Sequence, residues 1–157
     1  MSFATPKFDA VDGAAFKIGI AAARFNEALV DGLLARAVAA LRAAGVKERN
    51  LTVVRVPGSH EVPWAASRLA ARRGTDCVIA LGVLLGGDTN HHELVGTSVS
   101  HALQRIAVDS GVPVINGVIV ADTRAQAQAR TIGKIDRGAE FAQTALAMAA
   151  LKRKAFA

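Results

Sequence analysis

The chain has 157 residues, of which 52% are hydrophobic and 20% are charged. This length suits one domain with a substantial core, and the composition excludes an intrinsically disordered protein. The single cysteine, Cys77, excludes an internal disulfide and a cysteine-based zinc cluster.

The net charge of +6 raises the question of a nucleic-acid partner. The basic residues are scattered, however, and six Phe, one Trp and no Tyr leave few rings for base stacking. We therefore expect no nucleic-acid partner and a basic surface that steers a small anionic substrate. No apolar run approaches the ~18 residues of a membrane span, and the first residues lack the pattern of a secretory signal. We expect a cytoplasmic protein with no membrane partner.

The first part of the chain predicts an arm, a strand and a helix. Residues 1–15 are small and polar, and we interpret them as a flexible N-terminal arm that precedes a single domain over 16–157. An apolar run of strand length follows at 16–22. Apolar residues then recur at helical spacing over 30–41, and Gly45 is a suitable end for that helix.

The middle of the chain repeats this alternation of strand and helix. Residues 51–56 are rich in β-branched side chains and predict a strand, which Pro57-Gly58 ends. A helix is predicted over 61–73, with Pro63 tolerated in its first turn. The apolar run 77–83 predicts a third strand.

The last part begins with the loop Gly86-Gly87-Asp88-Thr89, and a helix follows from about His92 to Gly111. The remaining predicted elements are a strand over 112–120, a short helix over 123–132 and an alanine-rich helix over 138–152. The order is therefore βαβαβαβαα. Apolar strands without alternation indicate a parallel sheet covered on both faces. The sequence predicts an α/β fold, a three-layer αβα sandwich of the flavodoxin-like type with a four-stranded parallel sheet.

Ligands of such sheets bind beyond the carboxyl ends of the strands. Four polar or glycine-containing segments fall there, namely 23–26, 58–61, 85–92 and 115–117. We therefore expect these segments to form a binding site together.

The loop Gly86-Gly87-Asp88-Thr89 leads from a strand into a helix, so its backbone N–H groups and the helix dipole could hold a phosphate. The alternative is an ordinary turn in which Asp88 or Thr89 caps the helix. His91 and His92 open the same helix, and a histidine beside an anion site can transfer protons near neutral pH. They could equally be exposed first-turn residues.

His91, His92 and Glu93 are consecutive, so their side chains point in different directions and make a poor metal site. We predict no metal site in this chain. Glu61 could accept hydrogen bonds from ligand hydroxyl groups, or it could be a first-turn carboxylate that the helix dipole favours. Phe25 could stack on a planar ring or pack in the core.

Two arginines of the C-terminal part are candidates for clamping a phosphate. They are Arg130, on the predicted short helix, and Arg137, before the last helix. The alternative is that both belong to a solvated helix face.

Taken in order, several segments resemble the lumazine synthase family. The resemblance rests on ARFN at 23–26, VPGSHEVP at 56–63, ALGVLLGGDTNHHELV at 80–95, GVPVINGVIVADT at 111–123 and RGAE at 137–140. It runs from about residue 16 to 152. The resemblance implies a flavodoxin-like fold, homopentamers or multiples of pentamers, and active sites between neighbouring subunits.

The resemblance also implies site residues. His91 would be the catalytic proton-transfer residue, and Arg130 would reach the phosphate from the adjacent subunit. The implied phosphate-binding set is Gly87, Asp88, Thr89 and Arg130. The implied substrate-binding set is Phe25, Ser59, His60, Glu61, Val83, Leu84, Leu85, Asn116 and Arg137.

The activity implied is that of a transferase in riboflavin biosynthesis. It condenses 5-amino-6-(D-ribitylamino)uracil with 3,4-dihydroxy-2-butanone 4-phosphate to 6,7-dimethyl-8-ribityllumazine, phosphate and water. No cofactor or metal is required, and riboflavin synthase is a further partner that the family suggests. The alternative is a non-catalytic flavin- or lumazine-binding or scaffold protein of the same fold. It is motivated by four departures from the family. Gly86 and Asn116 stand where many members carry a basic residue and Phe, and His60 and His92 each replace a usual aromatic residue.

Overall fold

The computed structural model describes residues 7–156. The four strands are β1 (Ile18–Ala23), β2 (Leu51–Val56), β3 (Cys77–Leu85) and β4 (Val114–Ala121). The five α-helices are α1 (Glu27–Ala43), α2 (Val62–Ala70), α3 (His91–Ser110), α4 (Arg124–Thr131) and α5 (Arg137–Phe156). Short 3₁₀ turns precede β2 and α2, at Glu48–Asn50 and Ser59–Glu61.

The strands form one parallel sheet in the order β2-β1-β3-β4. Helices α1, α4 and α5 pack on one face of this sheet, and α2 and α3 pack on the other. The predicted three-layer α/β fold of the flavodoxin-like type is confirmed. Among the helices within residues 7–156, none combines the length and the apolar character needed to cross a membrane.

The central strand β3 explains why the apolar runs do not alternate. Its residues from Cys77 to Val83 are at most 1% exposed wherever they carry apolar side chains, because helices cover both faces of the sheet. Burial raises the pKa of the Cys77 thiol to about 12, so this side chain is a neutral part of the core.

Several element boundaries differ from the predictions. The predicted helix over 61–73 is shorter, because Glu61 belongs to a 3₁₀ turn and Gly74 takes a left-handed φ of 84° soon after Ala70. Strand β4 starts at Val114 because Pro113 has no N–H for the ladder, although its carbonyl still accepts a hydrogen bond from Val78. The last helix continues beyond residue 152 to Phe156.

The end of α5 is held by an ion pair at the amino edge of the sheet. Asp76 is 4% exposed and accepts hydrogen bonds from Arg153 Nε at 2.7 Å, Arg153 Nη2 at 2.8 Å and the Lys17 N–H at 2.8 Å. Arg153 also donates to the Ala15 carbonyl at 2.8 Å and lies 5.1 Å from the centre of the Phe16 ring. This network joins the C-terminal helix to the starts of β1 and β3.

The predicted N-terminal arm is described from residue 7 onward, and residues 1–6 lie outside the described part. Gly13 is buried, and its N–H donates to the Ala44 carbonyl at 2.7 Å. A Cβ at Gly13 would come within 2.7 Å of Val46 and 3.1 Å of Leu146. The end of the arm therefore packs closely on α1 and α5, and the flexibility of the arm stays a prediction.

Candidate functional site

A cavity of about 560 Å³ lies beyond the carboxyl ends of β1, β2 and β3. We call it the carboxyl-edge cavity. It is lined by Phe25, Asn26, Gly58, Ser59, His60, Glu61, Val83, Leu84, Leu85, Gly87, Thr89, His91, His92 and Val95. Three of the four segments expected to converge at this edge of the sheet therefore contribute to one concave surface.

Phe25 stands on the rim of this cavity with 72% of its surface exposed. Core packing, the alternative for this residue, is therefore wrong. Its N–H donates to the Pro57 carbonyl at 3.0 Å, and the next residue, Asn26, takes a left-handed φ of 59° while its side-chain amide donates to the Val83 carbonyl at 2.8 Å. These bonds hold the turn after β1 and leave the ring free to face a ligand.

The turn after β2 brings a carboxylate to the cavity. Glu61 Oε2 accepts a hydrogen bond from the Gly58 N–H at 2.9 Å, so the carboxylate does stabilise the start of the helical segment. Glu61 Oε1 lies 3.9 Å from His60 Nδ1, and both side chains are about half exposed or more. Gly58 is closely packed, because a Cβ would lie 3.0 Å from Glu61 Oε2 and 3.3 Å from the Phe25 ring, so both side chains would have to shift slightly.

Ser59 lies deeper in the cavity wall, where it is 4% exposed. Its hydroxyl has no hydrogen-bond partner among the described residues. The hydroxyl rests against Gly82, where an added Cβ would clash with Ser59 Oγ. A buried hydroxyl without a partner costs free energy and leaves a polar group that a ligand can satisfy.

The turn between β3 and α3 forms the other end of the cavity. Thr89 Oγ1 accepts a hydrogen bond from the His91 N–H at 3.4 Å, and Gly87 has open space where a Cβ would stand. Gly86 is packed instead, since a Cβ there would lie 2.6 Å from the Asp122 carbonyl oxygen. His91 is exposed at the first turn of α3, beside this loop. A helix N-terminus, an open glycine and a threonine hydroxyl are suited to an anion.

Four of the predicted site residues do not line the carboxyl-edge cavity of their own chain: Asp88, Asn116, Arg130 and Arg137. Asn116 lines a different cavity of about 550 Å³ over β4 and α3, with Glu93 and His101. Arg130 Nη1 donates to the Gln126 carbonyl at 2.9 Å, and Arg137 Nη1 lies 2.6 Å from Glu140 Oε2.

Val95 lines the cavity although it is not among the predicted site residues. It stands four residues after His91 on α3, and residues at this spacing share one helix face. Helical spacing could therefore have identified it. Asp122 Oδ1 lies 3.6 Å from His92 Nε2. This approach has no such signal, because His92 is in the first turn of α3 and Asp122 is in the connection between β4 and α4.

Comparison with known proteins shows the family of this chain. The family model for 6,7-dimethyl-8-ribityllumazine synthase matches residues 15–153. A synthase of that name from Pyrococcus furiosus is 39% identical over 142 residues, which cover 90% of this chain and 88% of that relative. The synthase of Kineococcus radiotolerans is 45% identical over 139 residues, covering 87% of this chain and 84% of the relative. The chain belongs to the 6,7-dimethyl-8-ribityllumazine synthase family.

Proposed function

We propose that this protein is a transferase that makes 6,7-dimethyl-8-ribityllumazine from 5-amino-6-(D-ribitylamino)uracil and 3,4-dihydroxy-2-butanone 4-phosphate. The observation that carries the proposal is that a chain of this family gathers ten of its predicted site residues around one cavity. The relatives cited above are both named as the synthase. Neither is named as a binding or scaffold protein, so nothing in the comparisons supports that alternative.

The uracil substrate would bind at the end of the cavity formed by β1 and β2. The exposed Phe25 ring offers a face for stacking on the pyrimidine, and Val83 to Leu85 supply an apolar wall. The ribityl chain carries several hydroxyl groups. The Ser59 hydroxyl and the Glu61 carboxylate are the polar groups at this end that can hydrogen-bond to them.

The phosphate of the second substrate would bind at the turn before α3. Gly87 allows close approach to the backbone, and Thr89 and the helix N-terminus favour an anion. His91 stands next to this turn, where it can move protons between the two substrates as the imine forms and phosphate leaves. Holding both substrates in one cavity would supply a large part of the rate enhancement, because good orientation can lower the activation free energy by on the order of 7–11 kcal/mol.

We also propose that Asn116, Arg130 and Arg137 act on the cavity of a neighbouring subunit in a homopentamer or a multiple of it. The support is that none of them lines the cavity of its own chain, although Arg130 and Arg137 carry the charge that a phosphate needs. One face of the ligand would then be covered by a second copy. A cytoplasmic location and riboflavin synthase as a further partner stay predictions.

The activity is tested by mixing both substrates with the purified protein and following lumazine absorbance and fluorescence. Product above an enzyme-free control, and lost when either substrate is omitted, is the expected result. A well-folded protein that carries a yellow ligand and gives no product would contradict the proposal and favour the binding protein.

The sharing of sites between subunits is tested by mixing two variants that are each impaired at a low concentration of the butanone phosphate. His91→Ala and Arg130→Ala protein are unfolded together, refolded and assayed at a low concentration of the butanone phosphate. If each site takes His91 from one chain and Arg130 from the next, about one quarter of the sites in an equal mixture are intact. Activity well above the mean of the two parent variants is therefore expected. A mixture that shows only the mean would contradict the shared site.

A further inference from the structure

His92 is a buried histidine whose ring nitrogens are not satisfied. Its side chain is 11% exposed, and neither Nδ1 nor Nε2 is accessible to solvent or has a hydrogen-bond partner among the described residues. Buried ring nitrogens normally have a partner, and each one that lacks it requires an explanation. His92 also lines the carboxyl-edge cavity, but the carboxylate that approaches its Nε2, Asp122, lies outside that lining.

Two carboxylates from different elements lie beside this imidazole. Glu93 is the next residue of α3, and Asp122 belongs to the connection between β4 and α4. One ligand atom from each of His92, Glu93 and Asp122 can be chosen so that all three lie within 4.8 Å of one another. Both carboxylates are exposed, so a cation could reach them from solvent.

The distance between His92 Nε2 and Asp122 Oδ1 fits two ligands of one cation better than it fits a direct hydrogen bond. Nε2 and Oδ1 are 3.6 Å apart, which exceeds the usual length of a hydrogen bond between nitrogen and oxygen. Two ligands bound to one tetrahedral zinc ion, each at about 2.0–2.2 Å, lie about 3.4 Å apart. The observed gap is close to that value, so an ion between these two atoms requires a small adjustment of the exposed Asp122 side chain. The three ligand atoms lie within 4.8 Å of one another, so the exposed Glu93 side chain must also move towards the ion.

We propose that His92, Glu93 and Asp122 form a binding site for one divalent transition-metal cation, for which Zn²⁺ is the best match. One imidazole and two carboxylates suit Zn²⁺, Co²⁺ or Mn²⁺, and water completes the coordination on the exposed side. The ion joins the start of α3 to the loop before α4. It would therefore hold in place the segment that contains the turn Gly87 to Thr89, and the proposal does not depend on the proposed reaction.

The consecutive positions of His91, His92 and Glu93 predict no metal site. The structure nevertheless brings a ligand atom of Glu93 and one of Asp122, from the connection after β4, to within 4.8 Å of a His92 ring nitrogen. The rival account of the His92–Asp122 contact is that the imidazole is protonated and forms a simple ion pair. An ion pair requires neither Glu93 nor a metal, so metal titration distinguishes the two.

The experiment is a calorimetric titration of the EDTA-treated, dialysed full-length protein with Zn²⁺, repeated with Co²⁺ to record visible absorption bands. We expect one site per subunit in the micromolar range. His92→Asn and Asp122→Asn should each weaken binding by about tenfold or more, because each removes a ligand. The matched controls are His101→Asn, an exposed histidine of the same helix, and Asp109→Asn, an exposed aspartate near its end; both should bind as the wild type does.

Three outcomes would overturn the proposal. They are no Zn²⁺ binding below millimolar concentration, wild-type affinity in Asp122→Asn, and a site that His91→Asn abolishes while Asp122→Asn leaves it intact. The last outcome would place the ion between the two consecutive histidines instead. Asp122 is 77% exposed, so its variant tests the site even if His92→Asn does not fold. A Zn²⁺-dependent rise in melting temperature that Asp122→Asn removes is a second expected result.

Discussion

The two edges of the sheet differ in whether their buried polar groups have hydrogen-bond partners. At the amino edge, Asp76 is 4% exposed and accepts three hydrogen bonds, two of them from Arg153. At the carboxyl edge, Ser59 is equally buried, yet its hydroxyl has no partner among the described residues, and the Phe25 ring is 72% exposed. The same parallel sheet therefore ends in a closed network on one side and an open cavity on the other.

This difference indicates that the amino edge serves stability and the carboxyl edge serves ligand binding. A buried polar group without a partner costs about 1–3 kcal/mol, whereas a satisfied one contributes modestly or breaks even. The amino edge satisfies its charge and joins α5 to the sheet. The carboxyl edge keeps unsatisfied groups that a ligand can pair, so its residues should matter to turnover and little to folding. Variants at the amino edge should therefore change stability, and variants at the carboxyl edge should change the kinetic constants.

The largest expected effect is on stability, from Asp76→Ala. The change removes the carboxylate that pairs with Arg153 and the Lys17 N–H, although Arg153 still donates to the Ala15 carbonyl. It should lower the free energy of unfolding by about 3 kcal/mol, the low end for a broken buried pair, because Arg153 is 43% exposed. Urea unfolding measures it. Asp109→Ala, which breaks the exposed pair with Arg105, is the control and should cost less than about 1 kcal/mol. If both variants lost the same free energy of unfolding, the Asp76–Arg153 pair would stabilise the fold no more than an exposed ion pair does.

The pH dependence of this loss is a second check on the same pair. Burial raises the pKa of Asp76, but the hydrogen bonds from Arg153 and Lys17 and the charge of Arg153 outweigh it, so the pKa lies below its ordinary value. A carboxyl group of this kind stabilises the fold above its unfolded pKa, about 3.9, and the benefit disappears as the pH falls through the lower folded value. The stability difference between wild type and Asp76→Asn should therefore be constant above about pH 5 and shrink below pH 4.

His91→Ala should leave stability almost unchanged and lower turnover by about 10²-fold, the lower end for the loss of a proton-transfer group. Substrate positioning would remain, so activity above the uncatalysed reaction is expected. Steady-state kinetics measure it, with His101→Ala of the same helix as the control. If both histidine variants turned over at the wild-type rate, His91 would have no catalytic role.

Arg130→Ala should raise the KM for the butanone phosphate by about tenfold and change kcat little, because a charged hydrogen bond to phosphate is worth about 1.5–3 kcal/mol. The matched control is Arg124→Ala, an exposed arginine at the start of the same helix α4. An unchanged KM in Arg130→Ala, or an equal rise in both variants, would assign the phosphate contact to other residues.

The strands of the sheet were predicted well because their burial leaves uninterrupted apolar runs in the sequence. Residues 77–83 are apolar throughout, and such a run is typical of a strand covered on both faces. The end of α5 was harder, because Lys152 to Lys154 are polar and continue the helix through the contact of Arg153 with Asp76. That contact joins residues 77 positions apart, which no local pattern records.

The part of the candidate site that lies within one chain could be predicted from the sequence. Fold topology brings the ends of parallel strands together, so the segments containing Phe25, Glu61 and His91 could be grouped in advance. Topology does not say which copy of the chain a residue serves, and Arg130 and Asn116 lie away from their own cavity for this reason under the proposed assembly. The approach of Asp122 to His92 depends on loop geometry, which spacing along the chain does not determine.

The smallest expected effect comes from Phe25→Leu. Leucine keeps an apolar side chain and removes only the ring face, and aromatic pairs contribute about 0.5–1.5 kcal/mol beyond their buried area. The KM for the ribitylaminouracil should therefore rise a few-fold, while that for the butanone phosphate and the melting temperature stay unchanged. Phe156→Leu, at the end of α5 and 78% exposed, is the matched control. A fall in melting temperature with Phe25→Leu alone would show that this ring supports the fold, and the division between the two edges would no longer hold.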